Sequence, residues 1–195
     1  INKFSYEDAI NISKERIEKS VSQQMISDVS IGSFLSGGID SSLVTYYMQK
    51  NSMKKINTFN VSFDDKNYNE SEYASNIAKF IGTNHNTIHI KNSDYFNSLE
   101  NINNVFSEPF ADSSQIVTSL ISNKAKENVS VILSGDGGDE AFAGYNRHLI
   151  AKKILQINYL FPFSIRKYIF GILPYLSNSK LLKLNYYLLK LLNSK

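Results

Sequence analysis

Two glycine-rich stretches hold the residue types that could do chemistry. The first, SGGIDSS at residues 36–42, closes an apolar run and opens an amphipathic one. Placed between a strand and a helix, the backbone N–H groups of Ser36, Gly37 and Gly38 can turn toward an anion, and the helix N-terminus adds partial positive charge. The lysine of the GxxxxGK-S/T phosphate loop is missing, which argues against an enzyme that grips and transfers a γ-phosphate. Asp40 stands there instead. An acid at the mouth of an anion site repels phosphate unless a divalent cation lies between them, and Mg2+ takes one or two carboxylates together with phosphate oxygens. Asp40 is therefore expected to hold metal against pyrophosphate. The alternative is that Asp40, Ser41 or Ser42 simply caps the helix.

The second stretch, LSGDGGDEAFAGYNRH at residues 133–148, sets three glycines and three acids within residues 134–140, directly after another apolar run. Each glycine costs backbone entropy on folding, so such a density points to a closely approaching ligand. Asp136, Asp139 and Glu140 offer one group for metal, one for proton transfer and one for orientation, in an order that spacing leaves open. Solvation of surface acids is the competing explanation.

The elements around these stretches alternate in type. Ser5 and Asp8 have capping-box spacing, and Ile10, Ile17, Val21 and Met25 fall near one face of a helix over 5–27. Strands are expected at 29–35, 56–63, 87–90 and 128–133, and helices at 41–50, 71–81, 93–104 and 113–127, with Gly82 stopping the 71–81 helix. Strands alternating with such helices imply βαβ units, hence an α/β fold with a parallel sheet and helices on both faces. In such sheets ligands bind beyond the carboxyl ends of the strands, where both glycine stretches fall. Residues 1–150 are expected to form this domain and residues 151–195 a basic helical segment, divided by Pro162 and Pro174.

Composition narrows the function classes. At 195 residues and 42% apolar, the chain can bury a real core. It has no cysteine, so disulfides, thiolate zinc sites and cysteine nucleophiles are excluded. Neither a long apolar run nor a signal-peptide pattern is present, and a cytoplasmic location is expected. Eight basic residues and no acid lie between Lys152 and Lys195, which leaves −5 on residues 1–150 against the total of +3. Such a tail suits packed helices with basic faces better than a membrane or nucleic-acid surface, and no basic-aromatic groove accompanies the glycine stretches. His85 and His89, four apart on a strand, share a face without helical metal-ligand geometry, and His148 is expected in packing or at the surface.

SGGIDSS at 36–42, VSFDDKNYNESEYA at 61–74, EPFADSS at 108–114 and LSGDGGDEAFAGY at 133–145 together resemble, in order and spacing, the synthetase domain of glutamine-dependent asparagine synthetases. The resemblance covers residues 5–150 and implies an ATP-pyrophosphatase fold of the adenine-nucleotide α-hydrolase type. It also implies the chemistry: aspartate's side-chain carboxylate attacks the α-phosphorus of MgATP, giving β-aspartyl-AMP and pyrophosphate, and ammonia then displaces AMP. Carried onto this chain, Ser36, Gly37, Gly38, Asp40, Ser41 and Ser42 would hold pyrophosphate, with Mg2+ on Asp40 and Asp139. Phe34, Leu35 and Val61 would form the adenine and ribose wall, and Ser134 and Gly135 would meet AMP through their backbone. Asp136 matches a carboxylate that takes a proton from attacking ammonia, and Asp139 one near the aspartyl-adenylate.

The departures from the family pattern are specific. Relatives begin with a glutaminase domain led by cysteine and carry a further lysine-containing motif downstream; neither is found here, which implies a fragment of a longer enzyme. Ala143 stands where relatives have the first glycine of FGGY. The implied partners are aspartate and ammonia, a glutaminase domain in the full-length chain, and a homodimer as one arrangement. The rival expectations are a relative that adenylates another carboxylate, such as a sugar uronate or β-lactam precursor, and an inactive nucleotide-binding or membrane-associated module.

Overall fold

The computed structural model describes residues 4–65, 69–108, 112, 114–148, 150–151 and 162. The chain divides into two compact units, Ile1–Asp139 and Glu140–Lys195. The helices expected after residue 151 lie outside the described residues.

The first unit is an α/β fold built on four parallel strands, β1 (Ile31–Phe34), β2 (Asn57–Phe63), β3 (Asn84–Ile90) and β4 (Val131–Leu133), in the order β3-β2-β1-β4. Helix α1 (Tyr6–Gln24) precedes β1, and α2 (Ile39–Lys50), α3 (Ser71–Ile81) and the pair α4 (Asn92–Val105) and α5 (Ser114–Ala125) connect the strands. Alternation along the strands divides the core between two faces. On one face Ile31 and Leu133 pack with Val21 of α1 and Tyr47 and Met48 of α2, while Leu35 packs with Ala74 and Ala78 of α3. On the other, Phe34, Phe59, Val61 and Ile132 pack with Ile121 and Ala125 of α5. Helices thus cover both faces, as a parallel sheet requires.

Local signals account for the boundaries. Ser5 and Asp8 close the capping box that starts α1, the Asp8 N–H donating to Ser5 Oγ at 3.0 Å. Gly82 ends α3 in the left-handed conformation (φ +87), its N–H donating to Ala78 O at 2.8 Å. β1 is shorter than the expected 29–35 and β2 starts one residue later than expected, while β3 and β4 differ for visible reasons. β3 begins at Asn84 rather than Thr87, because pairing with β2 runs from Asn57↔Asn84 to Phe63↔Ile90 and overrides the poor strand propensity of asparagine. β4 is shorter than 128–133, because the N–H groups of Asn128 and Val129 turn back to Ala125 O and finish α5 instead.

Face-sharing along β2 and β3 is polar. Thr58, Asn60 and Ser62 are buried on the face opposite Phe59 and Val61. Thr58 Oγ1 lies 2.9 Å from His85 Nδ1, and Ser62 Oγ lies 3.2 Å from His89 Nδ1. Each imidazole is thus matched to a β2 hydroxyl, its register partner in the ladder. Burial lowers the His85 pKa below its ordinary 6.5.

Candidate active site

Both glycine turns lie at one rim of the sheet, because the strands that lead into them are neighbours. β1 and β4 pair in parallel, with Ser33 opposite Leu133, so the chain leaves both at the same edge. From β1 the chain steps outward to β2 and β3 on one side, whereas β4 adds on the other. The gap between β1 and β4 is therefore the point where strand order reverses, the usual place for a ligand in an open parallel sheet.

The first turn is tied to the sheet beneath it. Ser33 of β1 and Thr45 of α2, both fully buried, share a hydrogen bond of 2.9 Å, and Thr45 Oγ1 donates to Ser41 O at 2.8 Å. These bonds seat the first turn of α2 over β1. Gly38 is the N-cap and supplies no side chain to the free N–H groups, which leaves that helix end open to an anion. Ser36 and Ser41 share a side-chain hydrogen bond of 3.0 Å, and Gly38 N–H donates to Ser36 Oγ at 3.2 Å. The Ser42 hydroxyl is buried without a protein partner among the described residues. Asp40 lies in the first turn of α2, two residues after the N-cap Gly38.

Gly37 takes φ +89, and a Cβ there would lie 2.9 Å from Ala74 N and from the carbonyl carbon of Tyr73. Glycine is needed twice over, for the left-handed backbone and for the approach of α3. Ala74 and Ala78 form the buried face of α3, and no local pattern signals that the same helix end shapes the turn. The small side chain of Ala74 is the trace that could have shown it.

The second turn packs directly on the first. A Cβ on Gly135 would lie 2.7 Å from Ser41 N, and one on Gly138 would lie 2.6 Å from Asp40 Cγ. Gly135 and Gly138 thus admit the backbone and carboxylate of the first turn. Within the second turn Gly137 takes φ +89, Gly138 N–H donates to Gly135 O at 3.2 Å, and Ser134 Oγ donates to Asp136 Oδ2 at 2.8 Å. Asp139 follows Gly138 in α6 (Gly138–Phe142).

The three residues expected to wall the nucleotide do not share a face. Phe34 and Val61 pack toward α5, whereas Leu35, 1% exposed, packs toward α3 and donates its N–H to Phe59 O at 2.9 Å. Their common feature is position at strand ends rather than a shared side-chain surface. Most of EPFADSS lies outside the described residues; Asp112 within it accepts the Ser114 N–H at 2.8 Å, which lowers its carboxyl pKa below the usual range.

No three of His, Asp and Glu converge as a metal site among the described residues. The Asp40 carboxylate lies beside Gly138, and Asp139 is the next residue in the chain; among the described residues neither makes an ion pair.

In the second unit Tyr145 Oη donates to Glu140 Oε1, and that bond holds the Glu140 carboxyl below its usual range. The Arg147 guanidinium stacks over Tyr145 at 4.0 Å. Ala143 takes φ +56, the left-handed region where glycine is at ease and alanine is not.

Comparison with known proteins gives a consistent answer. The family model described as asparagine synthase matches residues 13–192. The putative asparagine synthetase (glutamine-hydrolyzing) 2 of Methanocaldococcus jannaschii is 38% identical over 137 residues, which span 70% of this chain and 26% of that protein. Asparagine synthetase (glutamine-hydrolyzing) 1 of Bacillus subtilis is 38% identical over 133 residues, 68% of this chain and 21% of that protein. The chain thus spans about a quarter of the length of the curated relatives it matches. Among solved structures, an NMN synthetase from Francisella tularensis superposes with a TM-score of 0.51 at 17% identity, over 73% of this chain and 59% of that one, and shares the fold.

Proposed function

The chain belongs to the asparagine synthase family, and on that premise we propose that it activates a carboxylate with ATP and passes the acyl group to ammonia. The carboxylate is the side chain of aspartate. Its oxygen attacks the α-phosphorus, the bond from that phosphorus to the bridging oxygen of the β-phosphate breaks, and pyrophosphate leaves. Ammonia then attacks the acyl carbon, AMP departs with the former carboxylate oxygen, and asparagine results. One proton of the attacking nitrogen passes to a base.

The observation that carries this reading is the packing of Gly135 and Gly138 against Ser41 and Asp40. It supports one site composed of two turns. Ser36, Gly37, Gly38, Ser41 and Ser42 take the pyrophosphate end: the open N-terminus of α2 stabilises charge that grows as pyrophosphate leaves. Ser134 and Gly135 meet the AMP half, beside the strand ends at Phe34, Leu35 and Val61. Asp136, oriented by Ser134 Oγ, serves as the proton acceptor. Asp40 and Asp139 would hold Mg2+, which when bound supplies positive charge to the triphosphate. In the full-length protein a glutaminase domain supplies the ammonia.

Incubation with ATP, Mg2+, aspartate and an ammonium salt tests the proposal by product analysis. Asparagine with equal AMP and pyrophosphate is expected. AMP formed only with another carboxylate would reassign the substrate, and ADP with inorganic phosphate would overturn the reaction class.

A further inference from the structure

The shape of the first glycine turn is imposed by a helix outside the two glycine stretches. The position a Gly37 side chain would take is filled by the start of α3, with the Tyr73 carbonyl carbon, Tyr73 Cβ and Ala74 N all at 2.9 Å. Packed backbone at that distance is stiff, so a movement of this helix end is passed to the turn. What fixes the helix end is the connection from β2. Asn69, half-buried, donates from Nδ2 to Phe63 O at 3.3 Å and accepts the Ser71 N–H on Oδ1 at 3.0 Å. One side chain thus joins the last residue of β2 to the first of α3. Glu70 at the N-cap makes no side-chain capping bond, and the Ser71 N–H is met by Asn69 one residue earlier. The other end of the connection is also tied: Asp64 Oδ1 lies 3.1 Å from His89 Nε2, and the opposite ring nitrogen meets Ser62.

We propose that Asn69 is a positioning residue for the nucleotide turn, holding the start of α3 against Gly37 so that Gly37 keeps its left-handed backbone and the turn its shape. The proposal rests on the functional reading above only for what the turn binds. Two substitutions separate positioning from capping. Asn69→Ser keeps a short oxygen for the Ser71 N–H and cannot also reach Phe63 O. Asn69→Asp, nearly isosteric, keeps the acceptor and loses the donor.

The measurement is the amide NMR spectrum of the unliganded chain together with ATP affinity in the presence of Mg2+. Both variants should shift the Gly37 and Gly38 resonances while leaving that of Gly82, where an added Cβ would meet nothing within 4 Å, in place. Exchange of the Ala74 amide, bonded to Glu70 O, should rise about two- to ten-fold, with a similar loss of ATP affinity in Asn69→Ser. Unmoved Gly37 and Gly38 resonances in both variants would overturn the proposal and leave Asn69 a helix cap alone. Absence of ATP binding in the unsubstituted chain would instead count against the functional reading, and the resonances would still decide the role of Asn69.

Discussion

The carboxylate of Asp40 lies where the side chain of Gly138 would be: a Cβ on Gly138 would come within 2.6 Å of Asp40 Cγ and 2.8 Å of Oδ2. Residues 98 positions apart therefore define one wall of the site. The neighbouring contact differs in kind, because a Cβ on Gly135 would meet the backbone nitrogen of Ser41 at 2.7 Å. A carboxylate can swing aside; a backbone cannot. Gly138→Ala should therefore weaken ATP binding with Mg2+ by about ten-fold, near 1.4 kcal/mol, with little change in melting temperature. Gly135→Ala should cost about 1–3 kcal/mol of stability. Paired titration calorimetry and thermal melts check the split, and equal loss of stability in the two variants would remove the distinction.

Gly37 and Gly82 make a second matched pair. Both have positive φ, +89 and +87, but only Gly37 is crowded, by the start of α3. Gly82→Ala should cost only the left-handed backbone penalty, about 1–2 kcal/mol. Gly37→Ala should add an overlap penalty of about 1–3 kcal/mol. Urea unfolding of both variants gives the comparison, and similar midpoints would show that the α3 contact yields freely.

Ala143 occupies a conformation that glycine adopts at no steric cost. Ala143→Gly removes a penalty of about 1–2 kcal/mol and adds flexibility to the unfolded chain worth about 0.5–1 kcal/mol. A net gain of a few tenths to about 1 kcal/mol is expected, read as a higher urea midpoint. A lower midpoint would show that the alanine methyl contributes packing that outweighs its backbone.

Burial holds the His85 pKa below 6.5, so the folded state prefers the neutral ring. The unfolded chain then binds more protons than the folded one as pH falls below about 6.5, and stability must fall with it. The contribution is fully present above that value and is lost as pH drops through the folded-state pKa. His85→Gln should flatten this part of a stability-against-pH curve measured between pH 7 and 5. An unchanged slope would assign the acid sensitivity to other groups.

Much of this arrangement is legible in the sequence, for identifiable reasons. The strand-to-glycine transitions at Leu35 and Leu133 give both turns, and alternation of strands with helices gives the parallel sheet that brings them to one rim. Strand order decides whether the turns meet, and it depends on long-range pairing such as Ser33↔Leu133, which no local pattern encodes. The extra length of β3 was hidden by Asn84 and Asn86, whose weak propensity is overridden by the β2 ladder. The dependence of Gly37 on α3 was hidden because a tight backbone contact leaves no trace beyond a glycine and an alanine. Wall residues Phe34, Leu35 and Val61 were grouped by motif position, yet strand alternation sends their side chains to different faces.

Whether the two glycine turns form one nucleotide site is decided by an ATP analogue with a methylene bridge between its α- and β-phosphates. Titrated with Mg2+ into the isotope-labelled chain, it should shift the amides of Gly37 and Gly38 and those of Gly135 and Asp136 together, with one dissociation constant. Response of only one turn, or two different constants, would contradict the account.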